Sequence, residues 1–265
     1  EFSSRAREQR IEEERVAREA LDRADSILLE LETWGRRAGQ ESTGDAGFER
    51  EAREAEVLLG AKVDPLSGRP EVLLARARLD VLCDRPGAAL GRLGQLRDAG
   101  EEPPLAHYVR GWALLKQLML GWEEIVLRRV HVSGDGESDL ALAGGARDTA
   151  ARAELSRRAW TELDAYFHSG SLDARTWRSR LALPFLAGEY DQAIGLYRSL
   201  VDAADEVEHD PEARWLLVRA IACSALLRGT GPEQAELLEK TREHFLWLER
   251  WRGGRAEYWS WRGLV

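Results

Sequence analysis

The segment from Trp177 to Tyr197 constrains the fold of this chain more than any other part of the sequence. It reads as two short helices joined by a tight turn at Gly188, with apolar residues placed where the two helices would touch. A helical pair of this size cannot bury its apolar face alone, so its neighbours must be further pairs of the same kind. Ala, Leu, Arg and Glu dominate the composition, and all four favour helix. The sequence therefore predicts an all-α fold of antiparallel helical pairs.

The positions of the apolar and small residues in this segment resemble those of the tetratricopeptide-repeat family. Its 34-residue units place a bulky residue fourth, a small residue eighth, a turn near the fifteenth, Ala twentieth and an aromatic residue or Leu twenty-fourth. Here Trp177, Gly188, Ala193 and Tyr197 take four of those places. Leu181 stands where a small residue is typical, and Pro184 stands where an aromatic residue is typical. An earlier unit fits the same places with Leu73, Ala77, Ala89 and Leu93.

A short element, an apolar residue followed three positions later by Arg and then by a small residue, recurs along the chain and carries the functional hypothesis. Two of its arginines, Arg76 and Arg110, stand 34 positions apart. The resemblance implies a right-handed superhelix whose concave face, lined by the first helix of each unit, binds peptides or partner proteins. It also implies that one set of arginines points into that groove: Arg76, Arg110, Arg180, Arg219 and Arg262. Guanidinium groups bind carboxylates through two parallel hydrogen bonds, so the ladder would suit an acidic peptide. The same spacing also fits ordinary surface arginines in an Arg-rich chain.

The sequence divides into four parts. Residues 1–46 are predicted to form a long helix and a linker, and residues 47–130 a first block of repeats. Residues 131–147 are predicted to be a flexible, acidic, Gly-rich insertion, and residues 148–265 a second block. The apolar stripe of the first helix is too short for a coiled coil, so we expect this helix to pack on the first repeat. The alternative is that the helix forms a juxtamembrane or coiled-coil stalk. The chain begins without Met and ends where a helix starts, so we expect a piece of a longer protein, and its Arg-rich, Lys-poor composition suggests a bacterial one.

Aromatic residues crowd the C-terminal end of the chain, which holds a large share of its 10 tryptophans. Such clusters offer large contact area and are favoured at protein interfaces. This makes four further residues candidates for partner binding: Trp247, Trp251, Trp259 and Trp261. The same residues would equally fill the junction between the last full unit and the next.

No pattern of chemistry-bearing residues predicts catalysis or a cofactor. The five histidines lie far apart, which argues against a zinc site. Gly134-Asp135-Gly136 lacks the strand and the Lys of a phosphate-binding loop, and the acids that follow lack the Gly and the final Glu of a calcium loop. Cys83 and Cys223 lie in apolar helical runs and are expected to be buried hydrophobes rather than disulfide partners. We expect that the chain is not an enzyme and that it binds neither a metal nor a cofactor.

Charge and hydropathy narrow the class of partner. The formal net charge of -9 argues against nucleic acid as a partner. No run of the sequence reaches the ~18 apolar residues of a membrane span. The two cysteines exclude neither the cytoplasm nor the periplasm as the location of the protein, and we favour the cytoplasm. The sequence predicts a non-catalytic scaffold that binds a protein or peptide and belongs to a larger protein. Two alternatives stay open: self-assembly into a homo-oligomer, and a regulatory region of a multidomain signalling enzyme.

Overall fold

The computed structural model describes residues 2–33, 44–100, 102–132, 146–169, 174–227 and 232–252, together with Tyr258 and Arg262. These residues form helices joined by turns, which confirms the predicted all-α class. The helices of the described residues are α1 (Phe2–Glu32), α2 (Gly44–Leu59), α3 (Pro70–Leu82), α4 (Pro86–Asp98), α5 (Pro104–Val132), α6 (Ala146–Phe167), α7 (Ala174–Leu186), α8 (Tyr190–Ala203), α9 (Asp205–Glu208), α10 (Pro211–Leu227) and α11 (Pro232–Arg252). A 3₁₀ helix (Ala61–Leu66) lies between α2 and α3.

Each helix packs mainly against its neighbours in the chain. The helices of each pair pack against each other: α1 with α2, α3 with α4, α5 with α6, α7 with α8, and α10 with α11. Successive pairs also touch, through α4 with α5, α6 with α7, and α8 with α10. Further contacts join helices that are not neighbours in the chain: α1 packs on α3, α3 on α5, α5 on α7 and α7 on α10, and α11 reaches back to α2. The N-terminal pair therefore meets later helices as well as its own neighbours.

One predicted break in this series is wrong. The sequence pattern predicts one helix from Leu105 to Leu120 and a second from Trp122 to Val130, paired with each other. In the structure α5 runs unbroken for 29 residues. A single interior glycine costs only about 1 kcal/mol of helix propensity, which is too little to end a long helix. The partner of α5 is α6 instead. Residues 131–132 and 146–147 of the predicted insertion belong to these two helices, and residues 133–145 lie outside the described residues.

The predicted linker is also shorter than expected, because α2 already begins at Gly44. Residues 34–43, the remainder of that linker and the expected end of the first helix, lie outside the described part of the chain.

Two turns within helical pairs share one geometry. The α7–α8 turn contains Gly188 with φ +79°, and the α3–α4 turn contains Asp84 with φ +56°. After α7, the Glu189 N–H donates to the Pro184 carbonyl at 2.9 Å; after α3, the Arg85 N–H donates to the Asp80 carbonyl at 2.8 Å. This backbone hydrogen bond spans six residues and closes each helix end around a residue in the left-handed conformation. The turn predicted at Gly188 is confirmed, and its counterpart at Asp84 uses a residue that tolerates this conformation.

The apolar core divides among three clusters of buried side chains. The first joins α1, α2, the 3₁₀ helix and α3. The second, the largest, runs from α3 through α8 into α10, and the third joins α10 with α11 and Tyr258. Helices α3 and α10 each contribute to two clusters and are therefore buried on more than one face. In α6 the sequence pattern predicts that Leu155, Ala159, Trp160 and Leu163 face inward. Ala159 and Leu163 are buried and Leu155 is half-buried, but Trp160 is 40% exposed.

Within the described part of the chain, the small residues that follow Arg in the recurring element are all buried: Ala77, Gly111 and Ala220. At Gly111 of α5 the approach of α6 is very close. A Cβ atom there would lie 2.6 Å from Leu163 Cγ and 3.1 Å from the Leu163 backbone nitrogen. The element therefore includes a position where side-chain size limits how closely two helices pack.

The substitution Gly111→Ala is expected to destabilise the fold, because the new methyl group overlaps both the side chain and the backbone of Leu163. Overpacking of this kind costs about 1–3 kcal/mol, partly offset by the better helix propensity of Ala. The measurement is the free energy of unfolding from urea titration followed by circular dichroism.

The matched control is Gly91→Ala in the interior of α4, where an added Cβ meets no atom within 4 Å. The same chemical change should there stabilise the helix by about 0.5–1 kcal/mol. Equal shifts at the two positions would show that α5 and α6 do not meet at Gly111.

Candidate functional site

The five arginines of the predicted ladder lie in different environments. Arg110 of α5 and Arg219 of α10 are buried, at 4% and 1% exposed. Arg76 of α3 is half-buried, and Arg180 of α7 is exposed. Arg262 is half-buried near the C-terminus. The repeat spacing thus sets the positions of these residues along the helices, while packing between helices sets their access to solvent.

Arg110 holds three helices together. Its Nη1 donates to Glu162 Oε2 of α6 at 3.1 Å, and its Nη2 donates to the Leu93 carbonyl of α4 at 3.3 Å. It also pairs with Glu102 in the loop before α5. Arg76 makes a similar connection, because its Nε donates to the carbonyl of Leu59 at 2.8 Å. In this structure both arginines bind groups of their own chain.

The main arginine cluster centres on Glu32 at the end of α1 and contains residues that the sequence did not single out. Arg78 of α3 donates from Nε to Glu32 Oε1 at 2.9 Å. Arg175 of α7 donates from Nε to Glu32 Oε2 at 3.0 Å. The side chains of Glu32 and Arg78 are 7% and 8% exposed, so this pairing lies in the interior. One carboxylate therefore joins helices that are 46 and 143 positions from it in sequence.

Arg178 extends the same cluster from α1 to α10. It lies one turn beyond Arg175 on α7, and it donates to the backbone carbonyl of Glu32. Its Nε donates to Asp210 Oδ2 at 2.8 Å, and Asp210 is fully buried. The other oxygen of Asp210 accepts from the backbone N–H groups of Glu212 at 3.0 Å and Ala213 at 3.1 Å. Asp210 is thus both the N-cap of α10 and the counter-ion of Arg178.

The electrostatics of this cluster favour the charged forms of Glu32 and Arg178, whereas burial raises the pKa of Asp25. Burial alone would raise the pKa of Glu32, but the charges and hydrogen bonds of Arg78 and Arg175 outweigh burial and lower it below the ordinary value. Burial alone would lower the pKa of Arg178, but the charge of Asp210 and its hydrogen bond outweigh burial and raise the pKa. With Asp25 also bound to Arg78 at 2.7 Å, three carboxylates accompany three guanidinium groups. This geometry fixes helices in place.

Arg180 is the predicted site residue that remains open to solvent. It lines a groove of about 520 Å³ between α7 and α8, together with Leu183, Pro184, Gln192, Gly195 and Leu196. Among the described residues no carboxylate forms an ion pair with its guanidinium. The groove therefore combines an available cation with a largely apolar wall.

The C-terminal aromatics pack inward where the structure describes them. Trp247 of α11 lies beneath Arg214, whose Cζ is 4.1 Å from the ring centroid. Tyr258 is fully buried against Phe245 and Trp215, and Arg262 pairs with Glu249 at 2.8 Å. Trp251 lies in α11, but its side chain is outside the described part, as are Trp259 and Trp261 altogether. Trp247 thus supports the interpretation of this cluster as a junction.

Within the described part of the chain, no group of three or more His, Cys, Asp or Glu side chains stands close enough together to bind a metal ion. No helix there combines the length and the apolar character that crossing a membrane requires. Burial raises the pKa of the Cys223 thiol to about 12, so this cysteine stays protonated and is a poor nucleophile at neutral pH.

Comparison of the chain with protein-family models, with curated proteins and with solved structures gave no match.

The substitution Glu32→Gln is expected to lower the free energy of unfolding by about 3–5 kcal/mol at pH 7, because it leaves Arg78 and Arg175 without their shared carboxylate. Urea titration followed by circular dichroism measures the change. The control is Glu19→Gln on the same helix, where the ion pair with Arg15 is exposed and little change is expected. A loss below about 1 kcal/mol for Glu32→Gln would be typical of a surface pair and would contradict the interior pairing.

The pH dependence of that difference follows from the lowered pKa of Glu32. An acid whose pKa is lowered in the folded state stabilises the fold above its unfolded pKa and loses that contribution as pH falls through its folded pKa. The gap in stability between the wild type and Glu32→Gln should therefore be constant above the ordinary pKa of 4.5 and shrink below it. A gap that widens with acid would show that Glu32 is destabilised by its surroundings.

Proposed function

We propose that this chain is a non-catalytic scaffold, a tetratricopeptide-like array of helical pairs that binds an acidic segment of a partner protein in the groove between α7 and α8. The neighbour-to-neighbour packing of the helical pairs supports the scaffold. The observation that carries the binding site is Arg180, an exposed guanidinium beside an open, mostly apolar groove. It belongs to the helical pair that fits the repeat pattern best.

The other arginines explain why this groove is the favoured surface. Arg78, Arg110, Arg175 and Arg178 bind carboxylates of their own chain, so their charge is already used inside the fold. These ion pairs show that arginines on these helices bind carboxylates. At Arg180 an equivalent carboxylate would come from a partner molecule, because the groove is open to solvent.

The shape of the groove suggests how such a segment binds. Leu183, Pro184 and Leu196 provide apolar contact, and Gln192 provides an amide that donates and accepts hydrogen bonds. A peptide with a carboxylate next to an apolar side chain would place its charge on Arg180 and its apolar group on this wall. A hydrogen bond to a charged group contributes about 1.5–3 kcal/mol, so Arg180 alone accounts for at least a tenfold difference in affinity.

The test is selection of a random phage-displayed peptide library on the whole chain, followed by fluorescence polarisation with the enriched peptides. We expect enriched peptides to carry Asp or Glu beside an apolar residue. Arg180→Glu should weaken their binding at least tenfold. The matched control is Arg158→Glu on α6, an equally exposed arginine outside the groove, which should leave binding unchanged.

Three results would contradict the proposal: no enrichment, enrichment without acidic residues, or equal losses for the two charge reversals. Light scattering on the same protein adds a fourth. A mass that grows with concentration would favour self-assembly over binding of a separate partner. A monomer of constant mass that binds the selected peptides supports the scaffold.

A further inference from the structure

A pocket of about 300 Å³ opens beside the α7–α8 turn, where residues of α5, α6, α7 and α10 meet. Its volume is at the lower end of the range for small-molecule sites. Leu118 and Met119 of α5 and Leu186 of α7 form apolar walls. Ala153 of α6 and Gly188 of the turn are exposed and lie at its mouth. Because these elements come from separate parts of the sequence, the shape of the pocket depends on the tertiary fold.

Aromatic rings, and groups that attract such rings, line this pocket together. Phe185 and Tyr190 contact each other edge to face, with 5.6 Å between their ring centroids. Met119 contributes a polarisable thioether. Arg219 of α10 contributes a planar guanidinium that stacks on Trp215, with its Cζ 4.6 Å from the ring centroid. Ring edges, thioethers and guanidinium planes all bind an aromatic ring more strongly than a saturated one.

The polar side chains of the pocket are engaged with their own chain. The Tyr190 hydroxyl donates to the Cys223 sulfur, and burial raises the pKa of both groups to about 12. The Ser156 hydroxyl donates to a backbone carbonyl of α7 at 2.7 Å. Arg152 and Arg219 also interact with other groups of the fold, so a carboxylate would lose its hydration here without an ion pair reserved for it. The described lining residues include no Asp or Glu to receive an ammonium group. The pocket therefore favours a ligand without charge.

We infer that this pocket binds a small neutral molecule with a flat aromatic ring system, held among Met119, Phe185 and Tyr190. The rings and the thioether of the lining explain the aromatic character of the ligand, and the engaged polar groups explain its neutrality. The binding is non-covalent, because the Cys223 thiol is protonated at neutral pH. This site shares no lining residue with the α7–α8 groove and does not depend on the peptide-binding proposal.

The test uses 2-naphthol, which is neutral at pH 7, as the probe in isothermal titration calorimetry on the whole chain. Decahydro-2-naphthol is its match without an aromatic ring, and naphthalene-2-carboxylate is its match with a negative charge. We expect one 2-naphthol per chain and at least threefold weaker binding of each match. The inference is overturned if 2-naphthol does not bind measurably, or if either match binds within threefold of it or more tightly.

A pair of variants on α6 assigns the binding to this pocket. Ala153 is exposed at the mouth, so Ala153→Trp should fill the opening and weaken 2-naphthol binding at least tenfold while the fold is kept. Ala151→Trp, an equally exposed position outside the lining, is the matched control and should bind 2-naphthol as the wild type does. Circular dichroism checks that both variants are folded. Unchanged binding by Ala153→Trp, equal losses for the two variants, or more than one 2-naphthol per wild-type chain would place the ligand elsewhere and contradict the inference.

Discussion

The carboxylate of Glu32 is the interaction on which the arrangement of the helices depends most. It ends the first helix, and it receives a guanidinium from α3 and another from α7. A helical array otherwise relies on contacts between neighbours, so its two ends are joined only through the whole series. Here a residue from the first helix is bound directly to a helix 143 positions later. The N-terminal pair is thereby built into the array.

Such a cluster is stable only when each buried charge is paired, because removing ions from water costs several kcal/mol for each. The structure meets this condition by giving each buried group more than one partner. Arg178 binds both Asp210 and the end of α1, and Asp210 also caps α10. The cost of this arrangement is that most of the inner arginines are occupied by their own chain. Arg180 takes no part in this cluster and stays exposed beside the proposed groove.

The sequence predicted the parts of this structure that are governed by local rules. The turn at Gly188 follows from a glycine between two helical patterns, and the buried small residues Ala77, Gly111 and Ala220 follow from the repeat element. The helix break expected at Gly121 does not occur, since an isolated glycine carries too small a penalty to end α5. Trp160 is exposed rather than inside because several apolar residues share one side of α6, and contacts with α5 and α7 decide which of them are covered.

The site was predicted less well, because it depends on pairings between distant residues. The spacing that picked out Arg110 and Arg219 correctly placed them on the first helices of pairs, yet it carried no information on whether a carboxylate or an aromatic ring from another helix covers them. Arg78 and Arg178 had no local signal at all. One clue was available: Asp210 directly before Pro211 is typical of a helix start, and a capping Asp that is also buried needs a cation nearby.

The most direct test of the central claim is a double-mutant cycle between Glu32 and Arg175, using Glu32→Gln, Arg175→Met and the double variant. The free energies of unfolding are measured by urea titration at pH 7. If Glu32 joins α1 to α7 as the structure shows, the two losses are non-additive, with a coupling energy of about 1–3 kcal/mol. Additivity within about 0.3–0.5 kcal/mol would mean that the two residues do not interact, and the account of a first helix tied to the later half of the chain would be wrong.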